Sequence, residues 1–282
     1  MRVWVLILIT SLLAIGSARK PAPPQPVFHG HFRSENQRLK IADKVAHWSK
    51  RDKTNPWELG GLYQGDIMEA DNLDTRSGME NPGARWPGGI VPYYIQKGFF
   101  NGHQMRIIHS AINEFHKRTC IRFRPYKKGD SSFIVIKGQK GGCWSYIGRV
   151  SNRRKPGQQV NLQIPGCVHR GVVVHELMHA IGFYHQHSAS NRDRYIKIIW
   201  HNIRPAERHN FDKRRTTNFN VGYDYNSIMH YSAFAMSKNK QPTIVPNDKR
   251  AKIGQRQGLS RKDVMKISRM YGCKKRRGRA SY

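Results

Sequence analysis

The order of apolar and polar residues divides the chain near residue 86. Beyond that point, residues 103–119 carry apolar side chains at steps of three and four, which predicts an amphipathic helix. Two more helices are predicted over 169–183 and 260–271, and Ser260 with an aspartate three residues later predicts a cap for the second. Short apolar runs predict strands over 90–95, 121–126, 133–137 and 160–164. We therefore expect a folded domain of helices and strands with a loop-rich later part.

Residues 19–76 follow a different pattern. A proline-rich stretch over 20–26 excludes a helix or an inner strand. Residues 35–50 show weak helical periodicity, and no cysteine falls in this part of the chain. We expect this segment to be poorly equipped to fold on its own.

The first residues predict a targeting signal. Arg2 precedes an apolar run over residues 3–15, and the small residues 16–18 offer a cleavage site. The run is short for a membrane-spanning helix, which needs about 20 apolar residues, and no second run is long enough to span a bilayer. We expect a signal peptide over residues 1–18 and secretion, with an uncleaved membrane anchor as the alternative.

The charge of the chain is extreme. Its 282 residues include 50 Lys and Arg against 18 Asp and Glu, a net charge of +32. Such a charge favours contact with polyanions such as acidic proteins, sulfated glycans, nucleic acid or anionic surfaces. A highly soluble cationic surface is the equal alternative, because the basic residues are spread along the chain. No specific nucleic-acid partner is expected.

One motif carries the candidate chemistry. Residues 175–185 read H-E-x-x-H-x-x-G-x-x-H. On a helix, His175 and His179 share a face, so both rings can reach one ion, while Glu176 lies beside it. Gly182 permits a left-handed backbone that ends the helix, so that His185 can supply a third nitrogen. Three ligands leave a fourth position open for water, which is typical of a catalytic zinc, one per chain. The alternative is a buried helix with incidental histidines.

Four cysteines predict disulfides. An even count in a secreted chain favours two bridges among Cys120, Cys143, Cys167 and Cys273. Three pairings are possible, and spacing alone does not choose between them. Zinc binding by these cysteines is disfavoured because no C-x-x-C pair exists.

The motif and its surroundings resemble the astacin family of metzincins. Residues 175–185 match the long zinc signature, and similar pieces lie at 85–93, 142–149, 160–163, 182–187, 191–195, 227–231 and 259–260. The resemblance covers residues 77–273. It implies an α+β, zincin-like domain of two lobes: a mixed, mostly parallel sheet with two long helices in the first, and an irregular second lobe. It also implies a monomeric protease with one catalytic domain, followed by a basic tail over 274–282.

The resemblance assigns roles to single residues. It implies zinc ligation by His175, His179 and His185. Glu176 would be the general base that takes a proton from water, and Tyr231 would steady the oxyanion and ligate zinc at rest. Met229, in a Met-turn, would form a hydrophobic floor below the metal; plain core packing is the alternative for Met229 and Tyr231. The implied disulfides are Cys120 with Cys273 and Cys143 with Cys167.

The resemblance extends upstream of the domain. Residues 63–66 read Y-Q-G-D, similar to the F-x-G-D motif of astacin propeptides. It implies that residues 19–76 are a propeptide and that Asp66 is a latency switch on the open zinc position; an ordinary Gly-Asp turn is the alternative. The bond Arg76–Ser77 is the expected activation site, cut by a trypsin-like protease.

One position departs from the family pattern. Gln186 stands where members usually carry a glutamate that meets the new N-terminal amine, and a neutral amide cannot form that ion pair. We expect activity to survive, because Gln186 is neither ligand nor base.

The leading hypothesis is a secreted zinc endopeptidase, made as a zymogen and acting on proteins or peptides. The alternatives are a cationic binding protein that no longer cuts and a structural zinc domain.

Overall fold

The computed structural model describes residues 34–68, 82–150, 157–214 and 216–274. The predicted signal peptide, the bond after residue 76 and residues 275–282 of the basic tail lie outside the described residues. No helix in the described part of the chain is long and apolar enough to cross a membrane.

A six-stranded sheet forms the first lobe. In chain order its strands are β1 (Ile67–Met68), β2 (Ile90–Ile95), β3 (Arg122–Pro125), β4 (Phe133–Lys137), β5 (Cys143–Tyr146) and β6 (Gly157–Leu162). Their spatial order is β1-β5-β6-β4-β2-β3. The β5–β6 pair is antiparallel, and the other neighbouring pairs of this sheet are parallel. The expected mixed, mostly parallel sheet is therefore confirmed.

Two long helices cover this sheet, as expected. Asn101 caps the start of α2 (Gly102–Arg118). Its side chain accepts from the backbone N–H of Gln104, and the Gln104 side chain accepts from the backbone N–H of Asn101. α3 (Arg170–Ala180) is buried along its whole length after Arg170, which is typical of a helix inside a core. α2 and α3 pack together over apolar side chains such as Ile108, Phe115, Val173 and Leu177.

The second lobe is mostly irregular. Its regular elements are the short antiparallel pair β7 (Ile196–Ile198) and β8 (Ile244–Pro246), several turns of 3₁₀-helix and the final helix α4 (Arg261–Met270). A separate apolar cluster holds it together, formed by Ile196, Ile198, Ile203, Phe211, Tyr223, Tyr231, Ala235, Met236 and Ile244. α4 starts at Ser260 with the capping box that its sequence predicts.

Two disulfides connect these parts, and both expected pairings are confirmed. Cys120 bonds Cys273, with Cα atoms 5.4 Å apart and a sequence separation of 153. Cys143 bonds Cys167, with Cα atoms 5.5 Å apart, and so ties β5 to the chain just before α3. Closing such loops stabilises a fold by about 3–5 kcal/mol in the chain-entropy account.

Residues 34–68, here called the N-terminal segment, lie against the domain. Their helix α1 (Glu35–Ala46) buries Ile41 and Val45, and the Gln163 side chain donates to the carbonyl of Ala42 at 2.7 Å. Trp57 is fully buried, and β1 extends the sheet beside β5. The apolar residues of this segment thus find their partners outside it, in agreement with its weak local pattern.

Some boundaries differ from the sequence-based expectations. α3 ends at Ala180 instead of 183, because Gly182 takes φ +112° and reverses the chain. β6 begins at Gly157 instead of 160, where it pairs with β4. The pattern did not predict β1, β5, β7 or β8, which have two to four residues each and depend on pairing across the sheet.

Candidate metal centre

Three imidazoles converge on one buried point. His175 and His179 lie one turn apart on α3, and the reversal at Gly182 brings His185 to the same place. Gly182 has φ +112°, a backbone angle that residues with a Cβ rarely adopt, so the reversal favours glycine there. The ring centroids are 4.7–5.2 Å apart. The predicted ligands are therefore together.

Hydrogen bonds fix how these rings point. Nδ1 of His175 donates to the carbonyl of Ile228 at 2.9 Å, and Nδ1 of His179 donates to the carbonyl of Phe183 at 2.6 Å. Nδ1 of His185 contacts Oε1 of Gln64 at 2.9 Å. With a proton on each Nδ1, every Nε2 turns a lone pair toward the centre, as a metal ligand must.

Asp66 completes the cluster. Its Oδ2 lies 2.9 Å from His175 Nε2 and 3.4 Å from His185 Nε2, and its Oδ1 lies 3.4 Å from His179 Nε2. The four ligand atoms all lie within 4.8 Å of one another, and all four side chains are buried. The predicted position of Asp66 beside the three histidines is thus observed.

The donor set fits a divalent ion. Nε2 of His175 and Nε2 of His185 are 3.2 Å apart, and two lone pairs that face each other repel unless a cation lies between them. Oδ1 of Asp66 and Nε2 of His179 have no hydrogen-bond partner among the described residues. Three imidazole nitrogens and one carboxylate oxygen are ligand types that zinc takes in proteins, and they match its usual coordination number of four.

Burial favours the metal-binding form of the rings. It lowers the pKa of His185 to about 3 and also lowers the pKa of His175. Both imidazoles are therefore neutral at pH 7, and neutral imidazole is the form that binds metal.

Glu176 lies next to His175 on α3 and is fully buried. Neither of its carboxyl oxygens has a hydrogen-bond partner among the described residues. Burial, together with the nearby Asp66 carboxylate, raises the pKa of Glu176 well above its usual value. The site thus contains a buried carboxyl group whose oxygens are available for a proton.

Residues 227–229 connect α4 to the histidine cluster. Met229 is buried, and its carbonyl accepts from the backbone N–H of Gln186 at 2.8 Å. Asp263 of α4 holds this turn by accepting from the hydroxyl of Ser227 at 2.6 Å and from the N–H of Ile228 at 2.9 Å. The carbonyl of Ile228 in turn orients His175, so α4 supports the metal centre through the turn.

Tyr231 lies at the side of the cluster and is fully buried. Its hydroxyl donates to the backbone carbonyl of Gln64 at 2.6 Å, and its ring stacks on His187 with centroids 3.7 Å apart. The N-terminal segment therefore contacts both the histidine cluster, through Asp66, and this phenol.

The local backbone of the N-terminal segment makes these contacts possible. Gln64 and Gly65 have φ of +47° and +84°, which turns the chain sharply before Asp66. The N–H of Gln64 donates to Oδ1 of Asn210 at 2.7 Å, and Trp57 stacks on His175 with ring centroids 4.1 Å apart. The sequence-based prediction missed Trp57, Asn210 and the side chain of Gln64, because no local pattern marks them.

Gln186 is buried and engaged by the chain itself. Its Oε1 accepts from Nζ of Lys266, which projects from α4. Burial lowers the pKa of Lys266, while the nearby Asp263 and Asp224 raise it. Lys266 of the domain therefore contacts the amide of Gln186, the residue that departs from the glutamate of the family pattern.

Comparison with known proteins agrees with this geometry. A family model described as Astacin, a family of peptidases, matches residues 78–272. Seminal metalloprotease 1 of Drosophila melanogaster is 40% identical over 229 residues, which cover 78% of this chain and 90% of that protein. The solved structure of high choriolytic enzyme 1, a hatching enzyme zinc-protease from Oryzias latipes, is 34% identical with a TM-score of 0.61, and the match covers 74% of this chain and 100% of that chain.

Other relatives are longer. The chain spans 38%, 60% and 55% of the length of the Caenorhabditis elegans zinc metalloproteinases nas-14, nas-7 and nas-13, to which it is 40%, 35% and 38% identical. The family model, the relatives and the shared fold lead to one conclusion. This chain belongs to the astacin family of peptidases.

Proposed function

We propose that this chain is a secreted zinc endopeptidase, made in a latent form, that hydrolyses peptide bonds in proteins. The observation that carries the proposal is the convergence of His175, His179, His185 and Asp66 on one buried point with Glu176 beside it. The names of its relatives, several of them zinc metalloproteinases, support zinc as the ion.

The side chains around this point have separate roles in the proposed peptide hydrolysis. When bound, zinc polarises a carbonyl and lowers the pKa of a water toward about 7. Glu176 accepts the proton from the attacking water and passes it to the departing amine, which requires the unpartnered oxygens described above. The phenol of Tyr231 donates to the oxygen that becomes negative during attack.

Latency follows from the contacts of the N-terminal segment. With zinc bound, the carboxylate of Asp66 would occupy the ligand position that water needs, and the carbonyl of Gln64 accepts from the hydroxyl of Tyr231. We propose that residues 19–76 are a propeptide and that cleavage after Arg76 by a trypsin-like protease frees both groups. Sequencing of the processed N-terminus tests this boundary, and a start far upstream, near residue 30, would contradict it.

Secretion is supported by two observations. Both cysteine pairs form disulfides, which persist in oxidising compartments. The apolar run after Arg2 has the length of a signal peptide. We therefore propose that residues 1–18 direct the chain out of the cell, and mass spectrometry of the protein from cells and from medium tests the proposal.

The central experiment is cleavage of a protein substrate by the processed chain. We expect cleavage that a zinc chelator abolishes and that added zinc restores, and we expect Glu176→Gln to remove it while zinc content and folding are kept. Processed, zinc-loaded protein that binds polyanions but cuts nothing would favour the binding-protein alternative. A metal with four protein ligands that persist after processing would favour a structural zinc domain.

A further inference from the structure

The backbone of Arg214 is bound to the turn that follows His185. Its backbone N–H donates to the carbonyl of Ser188 at 2.6 Å, and it forms a parallel bridge with Ala189. Both partners belong to the turn that follows His185. The second lobe thus anchors this arginine to the same stretch of chain that supplies the third histidine.

The guanidinium of Arg214 contacts two aromatic rings. Its Cζ lies 4.4 Å from the ring centroid of Tyr63 and 5.4 Å from that of Tyr184, and its Nε donates to the hydroxyl of Tyr63 at 2.7 Å. Within the described residues, no carboxylate lies within 4.0 Å of this guanidinium. Its contacts are therefore with ring faces and one phenol oxygen.

The two rings come from different parts of the molecule. Tyr184 directly precedes His185 in the domain, whereas Tyr63 belongs to the N-terminal segment, three residues before Asp66. When that segment leaves, Arg214 and Tyr184 remain, and the ring and the oxygen that Tyr63 supplied are gone. The domain then keeps one half of this aromatic contact, next in sequence to the third histidine.

We propose that Arg214 and Tyr184 form a substrate subsite that takes an aromatic side chain with a hydrogen-bond acceptor, namely tyrosine. The inference rests on the proposed protease function and names a specificity determinant for it. A substrate tyrosine gives Arg214 again the cation–π contact and the acceptor for Nε that Tyr63 provides in the latent chain. Together these contacts favour tyrosine over alanine by about tenfold.

The test uses the full chain after processing and peptides that differ at one residue. Tyrosine, alanine or glutamate is placed in turn at each position on either side of the cleaved bond. We expect one position at which tyrosine raises kcat/KM about tenfold over alanine, through KM. Arg214→Ala removes that preference, and Arg214→Lys keeps part of it because lysine lacks the planar group. Arg250→Ala, which removes an exposed arginine, leaves the preference unchanged.

A second measurement does not need catalysis. A synthetic peptide of residues 56–68 is titrated into the processed chain, with Tyr63→Ala in the peptide and Arg214→Ala in the protein. Each change weakens binding about tenfold, and the two together weaken it little further, because they remove one contact.

The outcomes separate the two proposals. If no peptide is cut, the protease function fails, and the binding cycle alone decides the subsite. If peptides are cut without a preference for tyrosine at any position, or with a preference for glutamate that Arg214→Ala removes, the aromatic subsite is wrong. Additive effects of the two substitutions on peptide binding would also overturn it.

Discussion

Replacing Trp57 by alanine tests how the N-terminal segment is held on the metal centre. The indole is fully buried and lies nearly parallel to the His175 ring, at an interplanar angle of 16°. Loss of a buried tryptophan costs about 3–5 kcal/mol. We take the lower end, about 3 kcal/mol, because the indole Nε1 has no hydrogen-bond partner among the described residues, and such a group costs free energy to bury. Docking then weakens about 100-fold.

The assay measures the peptidase activity of the intact chain, which the docked segment is proposed to suppress. In a chain kept intact by Arg76→Ala, the rate on a short fluorogenic peptide is compared with that of the processed chain. We expect Trp57→Ala to raise this residual activity about 100-fold, and Trp57→Phe, which keeps a stacked ring, to raise it much less. Leu39→Ala is the matched control, since this residue of the same segment is 43% exposed.

One result would refute the reasoning. Suppose that the intact Trp57→Ala chain has no more residual peptidase activity than Leu39→Ala, although the processed chain cleaves the same peptide. The stacked indole then does not hold the segment. Hydrogen exchange gives a readout without catalysis, because weaker docking lowers the protection of residues 34–68 and leaves α3 protected.

Three further predictions concern other contacts. Asp66→Ala in the intact chain should allow peptide cleavage without processing, and a variant that stays silent would show that other contacts suffice for latency. Lys266→Met should lower the free energy of unfolding in urea by about 1–3 kcal/mol, because Oε1 of the buried Gln186 loses its hydrogen-bond donor; an unchanged midpoint would contradict this. Nε2 of His116 accepts from the N–H of Phe123, and burial lowers the pKa of this imidazole. The contribution of neutral His116 to the free energy of unfolding is therefore present above pH 6.5 and is lost as the pH falls from 6.5 toward the folded-state pKa. His116→Gln should therefore lose less stability than the parent chain between pH 7.5 and 5.5, and equal losses would count against this account.

Local sequence was sufficient for the elements whose signals are local. α2 follows from its apolar spacing, and α4 follows from the Ser260 capping box. The three histidines follow from helical spacing and from one glycine whose backbone angle only glycine adopts easily. For such features the relevant interactions lie within a few residues of one another.

Features that join distant parts of the chain were not predictable in this way. Gln64 and His185 are 121 residues apart, and nothing near either residue indicates that they meet. β5 has only four residues, and it is a strand because it pairs with β6 and β1. The disulfide pairings required a resemblance for the same reason, because four cysteines allow three arrangements.

The bond between Cys120 and Cys273 has a consequence for how the chain tolerates cleavage of its backbone. It joins the end of α2 to the residues after α4, so almost the whole domain beyond α2 lies within one covalent ring. A single cut anywhere in that ring leaves both fragments attached to each other. A nicked molecule can therefore keep its two lobes together, and damage becomes visible only after reduction.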